Sequence, residues 1–257
     1  MINKKYLKIA RERNINNFNK FIYNKLSNIL IDSIDITKVD YKTILQLGIN
    51  ENKVYNYLKI RHKNSKVIFN DLSTKNYDSN ENIFESSLDN WSFKKNEFDL
   101  IYSNFYLHLS DNFENLLRNI RDSLVHNGFF IALIPDKDNF YQIRNSLLKT
   151  DINIYNGAFN RFNPIPQIDE IIKFFKLLNF EIPVVDTDTI KLQYKSFNQL
   201  IIDVRSLKQP YAESDKKLIF EKKNYIRTLK KNYKMEYYNN NFYELDVKVN
   251  IISGWKA

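Results

Sequence analysis

Cysteine is absent from the 257 residues, which removes disulfides, thiolate catalysis and cysteine metal sites. The three histidines, His62, His108 and His126, are scattered, so a zinc site is not expected. No apolar run approaches the ~18 residues that a membrane-spanning helix needs, and the N-terminus lacks the apolar core of a secretory signal. The expectation is a soluble, cytoplasmic protein. Glycine is scarce, at four residues, which leaves few places where the backbone can approach a ligand closely. A P-loop and a Gly-x-Ser-x-Gly elbow are both missing.

What is present is globular. Hydrophobic residues make up 43% and aromatics 15%, and the length suits one large α/β domain with an insertion. The formal net charge is +9 with pI near 9.3. Much of it reflects a bias toward Lys, spread over the surface. No RNA-binding motif accompanies it, so nucleic acid is not an expected partner.

Residues 41–73 organise the chain as strand, loop, helix, strand. Thr43-Ile44-Leu45-Gln46-Leu47-Gly48 is an apolar run ending in glycine, as in a strand buried on both faces of a parallel sheet. About twenty residues later Lys66-Val67-Ile68-Phe69 ends in Asn70-Asp71. A carboxylate at the tip of a second parallel strand can accept hydrogen bonds from both hydroxyls of a ribose, which makes Asp71 the first binding candidate. The loop after Gly48 carries Asn50 and Asn52, which tolerate positive φ, in place of further glycines.

Further strands are expected at residues 83–88, 97–103, 129–134, 183–194 and 242–253, the last antiparallel at the edge. Residues 6–34 read as two amphipathic helices, residues 72–82 as holding a short helix, and residues 168–178 as a helix. Asp111 followed by Glu114 reads as a capping box, with Asn127-Gly128 ending the helix it starts. The expected fold is a Rossmann-like α/β domain with a seven-stranded, mostly parallel sheet, helices on both faces and an antiparallel edge strand. Residues 1–40 form helices on the sheet, 41–195 and 242–257 form the core, and 196–241 form a helical, basic lid insertion.

Open α/β sheets bind ligands at the C-terminal edge. Asn104, Tyr106 and His108 follow the fourth strand there and are candidate catalytic groups. Ser87, Leu88 and Asp89 follow the third strand and would hold a base, with Trp91 and Phe93 closing over something flat; a capped turn is the alternative. Arg144 and Arg161 offer guanidinium groups to an acidic substrate or serve as internal salt bridges. The stretch Lys216, Lys217, Lys222, Lys223, Arg227, Lys230, Lys231 and Lys234 is interleaved with Phe220, Tyr225, Leu229 and Tyr233. That pattern fits a lid helix with a solvated basic face, or a docking surface for an acidic protein.

Taken in order, Leu45-Gln46-Leu47-Gly48, Asn70-Asp71-Leu72-Ser73, Phe98-Asp99-Leu100-Ile101-Tyr102-Ser103-Asn104 with Leu107-His108, and the segment ending at Gly128 resemble the motifs of class I S-adenosylmethionine-dependent methyltransferases. Phe140-Tyr141-Gln142-Ile143-Arg144, Gly157-Ala158-Phe159, Val185-Asp186-Thr187-Asp188 and Gly254-Trp255-Lys256 resemble one branch. It contains the mitochondrial complex I assembly factor with a methyltransferase fold and its alphaproteobacterial relatives. The malonyl-acyl-carrier-protein methyltransferase of biotin synthesis is more distantly similar.

The resemblance implies S-adenosyl-L-methionine as cofactor. Gly48 would meet its methionyl part, Asp71 and the adjoining Leu72 its ribose, Ser87 and Leu88 its adenine, and Asn104 the reaction side. Gln46 stands where the family has an acidic residue, Asn50 and Asn52 where it has glycines, and Ser87 where it often has an aspartate. The loss of one charge-assisted hydrogen bond at Gln46 weakens cofactor affinity by about 1.5–3 kcal/mol. The implied activity is methyl transfer to a protein, in complex I assembly, or to an acyl-carrier substrate. The alternatives are a non-catalytic assembly adaptor with a degraded pocket and an arginine hydroxylase on the same fold.

Overall fold

The computed structural model describes residues 1–13, 21–50, 52–75, 82–213 and 223–257. Strands β1 (Thr43–Leu47), β2 (Lys66–Asp71), β3 (Ile83–Glu85), β4 (Phe98–Asn104), β5 (Leu124–Pro135), β6 (Phe180–Tyr194), β7 (Tyr238–Asn239) and β8 (Phe242–Lys256) form one sheet. Seven of them run in the order β3-β2-β1-β4-β5-β8-β6, and the two-residue β7 pairs with β8 beside that path. Pairing is parallel from β3 through β5, and β8 is antiparallel to both β5 and β6.

The helices are α1 (Lys4–Glu12), α2 (Phe21–Ile36), α3 (Lys53–Arg61), α4 (Phe113–Ser123), α5 (Tyr141–Tyr155), α6 (Ile168–Leu177), α7 (Phe197–Ser206) and α8 (Tyr225–Tyr237). Side chains alternate across the pleat, so each face of the sheet buries its own set. Ile44, Leu100, Tyr102 and Ile131 join α2, α3, α5, α7 and α8 in one apolar cluster. Leu45, Leu47, Ile101 and Phe130 join α1, α4 and α6 in the other. Within the first cluster Tyr225, Leu229 and Tyr233 of α8 are buried.

Two local expectations change. Asn112, not Asp111, caps α4, its side chain accepting from the Asn115 N–H at 2.9 Å. Asp111 is instead engaged by the Ile2 N–H at 2.6 Å and by Lys4 at 3.3 Å. The α4 helix also stops at Ser123, before Asn127-Gly128, because β5 begins at Leu124 and Asn127 takes a positive φ of 59° within it. The helix expected over residues 72–82 is not seen at residues 72–75. Residues 76–81, and Lys216, Lys217, Phe220 and Lys222 of the basic stretch, lie outside the described residues.

Sheet order reverses between β1 and β4, the place beyond the strands' C-terminal ends where open α/β sheets have their ligand crevice. Among the described residues no helix is long and apolar enough to cross a membrane.

Candidate functional site at the edge of β1, β2 and β4

Six of the residues singled out from the sequence, Gln46, Gly48, Asn50, Asp71, Asn104 and Tyr106, meet at this edge. Gly48 follows β1 with φ of +83°, a conformation that favours glycine, and its N–H donates to the Asn70 carbonyl at 2.8 Å. The Tyr106 ring lies directly against it. A Cβ at position 48 would fall 2.6 Å from Tyr106 Cβ and 2.8 Å from Cδ1. Tyr106 is itself buried, and its hydroxyl accepts from the Leu72 N–H at 3.0 Å. Burial, reinforced by the nearby Asp71 charge, raises its pKa, so it stays a neutral phenol.

Asp71 ends β2 and is 0% exposed. Its Oδ1 accepts from Arg11 Nε at 2.5 Å and from the Ser73 N–H at 3.2 Å. Its Oδ2 accepts from Arg11 Nη2 and from the Ile49 N–H at 2.7 Å. Arg11 comes from the last turn of α1, is 5% exposed, and lies with its guanidinium carbon 4.7 Å from the Tyr106 ring centroid. Burial disfavours its charge, but Asp71 and Tyr106 outweigh that and its pKa is raised.

Asn50 bridges the two sides of the crevice. Its Oδ1 accepts from Arg11 Nη2 at 3.1 Å, and its Nδ2 donates to the Asn104 carbonyl at 2.6 Å. Asn104, at the end of β4, donates from Nδ2 to Ser27 Oγ at 3.2 Å, while its Oδ1 is buried without a partner. Gln46 lies beneath the loop and is spent internally. Its Oε1 accepts from Tyr102 Oη at 2.5 Å and its Nε2 donates to the Gly48 carbonyl at 3.2 Å.

The remaining candidates sit apart from this cluster. His108 donates from Nε2 to Gln209 Oε1 at 3.0 Å, an orientation set by Gln209 Nε2, which donates to the Phe105 carbonyl. Its Nδ1 is buried and unpartnered, and burial pushes its pKa down to about 4. Ser87 and Asp89 form a turn in which the Asp89 N–H donates to Ser87 Oγ at 3.3 Å and the Asn90 N–H to the Ser87 carbonyl at 2.9 Å. Leu88 is buried in the apolar cluster under α1 and α4. Asp89 accepts Lys4 at 2.7 Å, Ser110 Oγ at 2.6 Å and the Asp111 N–H at 3.0 Å. Trp91 and Phe93 do not cover the crevice. They pack edge to face on each other, Phe93 also on Phe98, with Trp91 Nε1 donating to Ser123 Oγ at 2.9 Å. Arg161 makes an internal salt bridge, bidentate to the buried Asp151 at 2.9 and 2.6 Å.

Sequence reasoning missed Arg11. Its signal was a cation on the buried face of α1, where Leu7 and Ala10 share the same side. An ionised carboxylate offers about four lone-pair positions, and four N–H donors from Arg11, Ile49 and Ser73 already fill those of Asp71. With Arg11 in place, the site does not fit a ribose diol.

Residues 45–132 match the methyltransferase domain family. The chain is 23% identical over 130 residues to the zebrafish Danio rerio protein named arginine-hydroxylase NDUFAF5, mitochondrial, covering 51% of this chain and 40% of that one. It thus spans well under half the length of that relative. A Rickettsia prowazekii (strain Madrid E) protein, RP459, named among the methyltransferases, is 24% identical over 198 residues, covering 74% and 88% of the two chains. The crystal structure of an S-adenosylmethionine-dependent methyltransferase from Archaeoglobus fulgidus superposes with TM-score 0.53 at 12% identity, over 91% of this chain and 94% of that one, a likeness of fold. Domain match, relatives and sheet order agree: residues 45–132 match the methyltransferase domain, the fold is that of class I methyltransferases, and the chain resembles the NDUFAF5-like branch.

Proposed function

We propose that this chain is a methyltransferase-family protein that takes S-adenosyl-L-methionine at the Asp71 edge only when Arg11 has left, and that acts on a protein or acyl-carrier substrate. The observation that carries this reading is the exchange it requires: the carboxylate at the tip of β2 stands where a ribose would be held, and Arg11 of α1 occupies it. The family match and the parallel topology support the cofactor, as does the buried, unpartnered Oδ1 of Asn104 beside the crevice. Similarity to proteins named as arginine-hydroxylases supports a protein target, in complex I assembly, over a small metabolite.

Calorimetry with S-adenosylmethionine and S-adenosylhomocysteine tests the exchange. Removing a competing internal ligand raises affinity, so Arg11→Ala should bind at least about tenfold more tightly than the natural chain. Asp71→Asn should bind more weakly than either. Equal affinity with and without Arg11 would sink the exchange.

The close packing of Tyr106 on Gly48 favours a second reading, a non-catalytic assembly adaptor whose cofactor crevice is filled by its own side chains. Its partner would be an acidic protein meeting the exposed Arg227, Lys230, Lys231 and Lys234 of α8. If neither chain binds cofactor at millimolar concentration, this reading stands, and reversing those four charges should abolish partner capture.

A further inference from the structure

Beyond the C-terminal ends of β4 and β5 lies a cavity of ≈ 80 Å³, separate from the Asp71 cluster. His108, Pro135, Asn139, Phe140, Arg144 and Phe162 contribute to its wall. Arg144 rises from the first turns of α5 and is fixed at two points. Its Nε donates to the Asn139 carbonyl at 2.8 Å, and its guanidinium carbon stacks 4.0 Å from the Phe162 ring centroid. Held in this way, the side chain keeps its two Nη groups as a fork for another acceptor.

No described carboxylate comes within ion-pair distance of that fork. Asp136 and Asp138 carry the nearest negative charges, and both are turned to Lys248, at 3.2 and 3.5 Å. Beside the fork, Asn139 spends its Oδ1 on the Lys248 N–H at 3.0 Å and its backbone N–H on the Asp136 carbonyl at 2.9 Å, while its side-chain Nδ2 has no partner among the described residues. Ile165, Val204 and Leu207 add apolar wall, and the two further polar residues are engaged elsewhere, Asn163 with the Pro210 carbonyl and the Ala212 N–H and Gln209 with His108 and the Phe105 carbonyl.

We infer that this cavity is a binding site for a monoanionic carboxylate on a short apolar stem. A planar guanidinium fork matches the two oxygens of a carboxylate. A phosphate dianion would need a second cation, which the wall does not supply, and the small volume admits the carboxylate with only the first carbons behind it. The ligand is either a free small acid or a carboxylate carried on a protein or acyl group. As the substrate class of the transfer proposed above, the assignment rests on that reading. As a binding site it does not, because none of its residues contacts Asp71.

The test is a cofactor-free NMR titration of the Arg144 Nε–Hε resonance, assigned by its loss in Arg144→Gln. Sodium propionate, propionamide, inorganic phosphate and the capped amino acid N-acetylglutamate N-methylamide are compared at constant ionic strength. Saturable binding of propionate at millimolar concentration is expected, with at least tenfold weaker binding of propionamide and phosphate. In Arg144→Gln, propionate binding monitored through the Asn139 amide should be lost. Tighter binding of the capped glutamate than of propionate would assign the carboxylate to a protein, and the reverse order to a free acid. Propionate and propionamide binding equally, phosphate binding as well as propionate, or binding retained in Arg144→Gln would each overturn the inference. Should Arg144→Gln fail to fold, the comparison of propionate with propionamide on the natural chain decides alone.

Discussion

Arg11 Nε lies 2.5 Å from Asp71 Oδ1, joining residues 60 positions apart in a pair that is almost wholly shielded from water. Removing one member of such a pair strands the other, at a cost of about 3–5 kcal/mol. Arg11→Ala and Asp71→Ala should each cost about that much in urea unfolding, and the double variant much less than their sum. A coupling energy near zero would show that the pair does not hold α1 to the sheet.

Gly48→Ala should be strongly destabilising for two reasons that a second substitution can separate. The added methyl meets the Tyr106 ring, and φ of +83° is strained for alanine. In Gly48→Ala with Tyr106→Gly, which removes the 106 Cβ as well as the ring, the clash is gone and only the backbone penalty of about 1 kcal/mol remains from Gly48→Ala. Thermal melts of both backgrounds read the difference; equal penalties would mean that Tyr106 does not pack on Gly48 in solution.

Stability should also depend on acidity through His108. Its folded pKa is pushed by burial from 6.5 down to about 4, so between those values the unfolded chain binds the extra proton. The contribution is complete above pH 6.5 and is lost as pH falls toward 4, amounting to about 3 kcal/mol. Denaturant midpoints from pH 7 to pH 4 should fall more steeply for the natural chain than for His108→Gln. Parallel curves would remove His108 as the cause.

A second buried charge centre ties α5 to α8. Asp151 is fully buried, accepts Arg161 through both oxygens and accepts Tyr225 Oη at 2.7 Å. Asp151→Ala should lower stability by about 3 kcal/mol, whereas Tyr225→Phe should cost about 1 kcal/mol. Chemical unfolding that ranked Tyr225→Phe above Asp151→Ala would contradict this arrangement.

The strands were readable because a parallel strand buried on both faces is a continuous apolar run, as in Thr43-Ile44-Leu45-Gln46-Leu47. Asp71 could be placed at the tip of β2 for the same reason, since strand position fixes where the next polar residue emerges. What takes up its oxygens was not readable. Arg11 reaches them from another helix, and nothing local in residues 1–13 names its partner. Trp91 and Phe93 misled in a similar way, because an aromatic pair after a strand looks the same whether it covers a ligand or packs under Phe98. At α4 the capping residue shifted by one because distant groups, Ile2 and Lys4, claimed the Asp111 carboxylate.

Every clamp on α1 closes a long loop. Ile2 reaches Asp111 over 109 residues, Lys4 the Leu109 carbonyl over 105, and Lys8 the Glu85 carboxylate over 77. Closing loops of this length costs the most chain entropy, so these contacts are expected to form late in folding. Contacts absent from the transition state act on the rate of leaving the native state rather than of reaching it. The N-terminal helix therefore sets how long the folded chain persists before it opens, and its substitutions should shorten that lifetime while refolding proceeds at an unchanged pace.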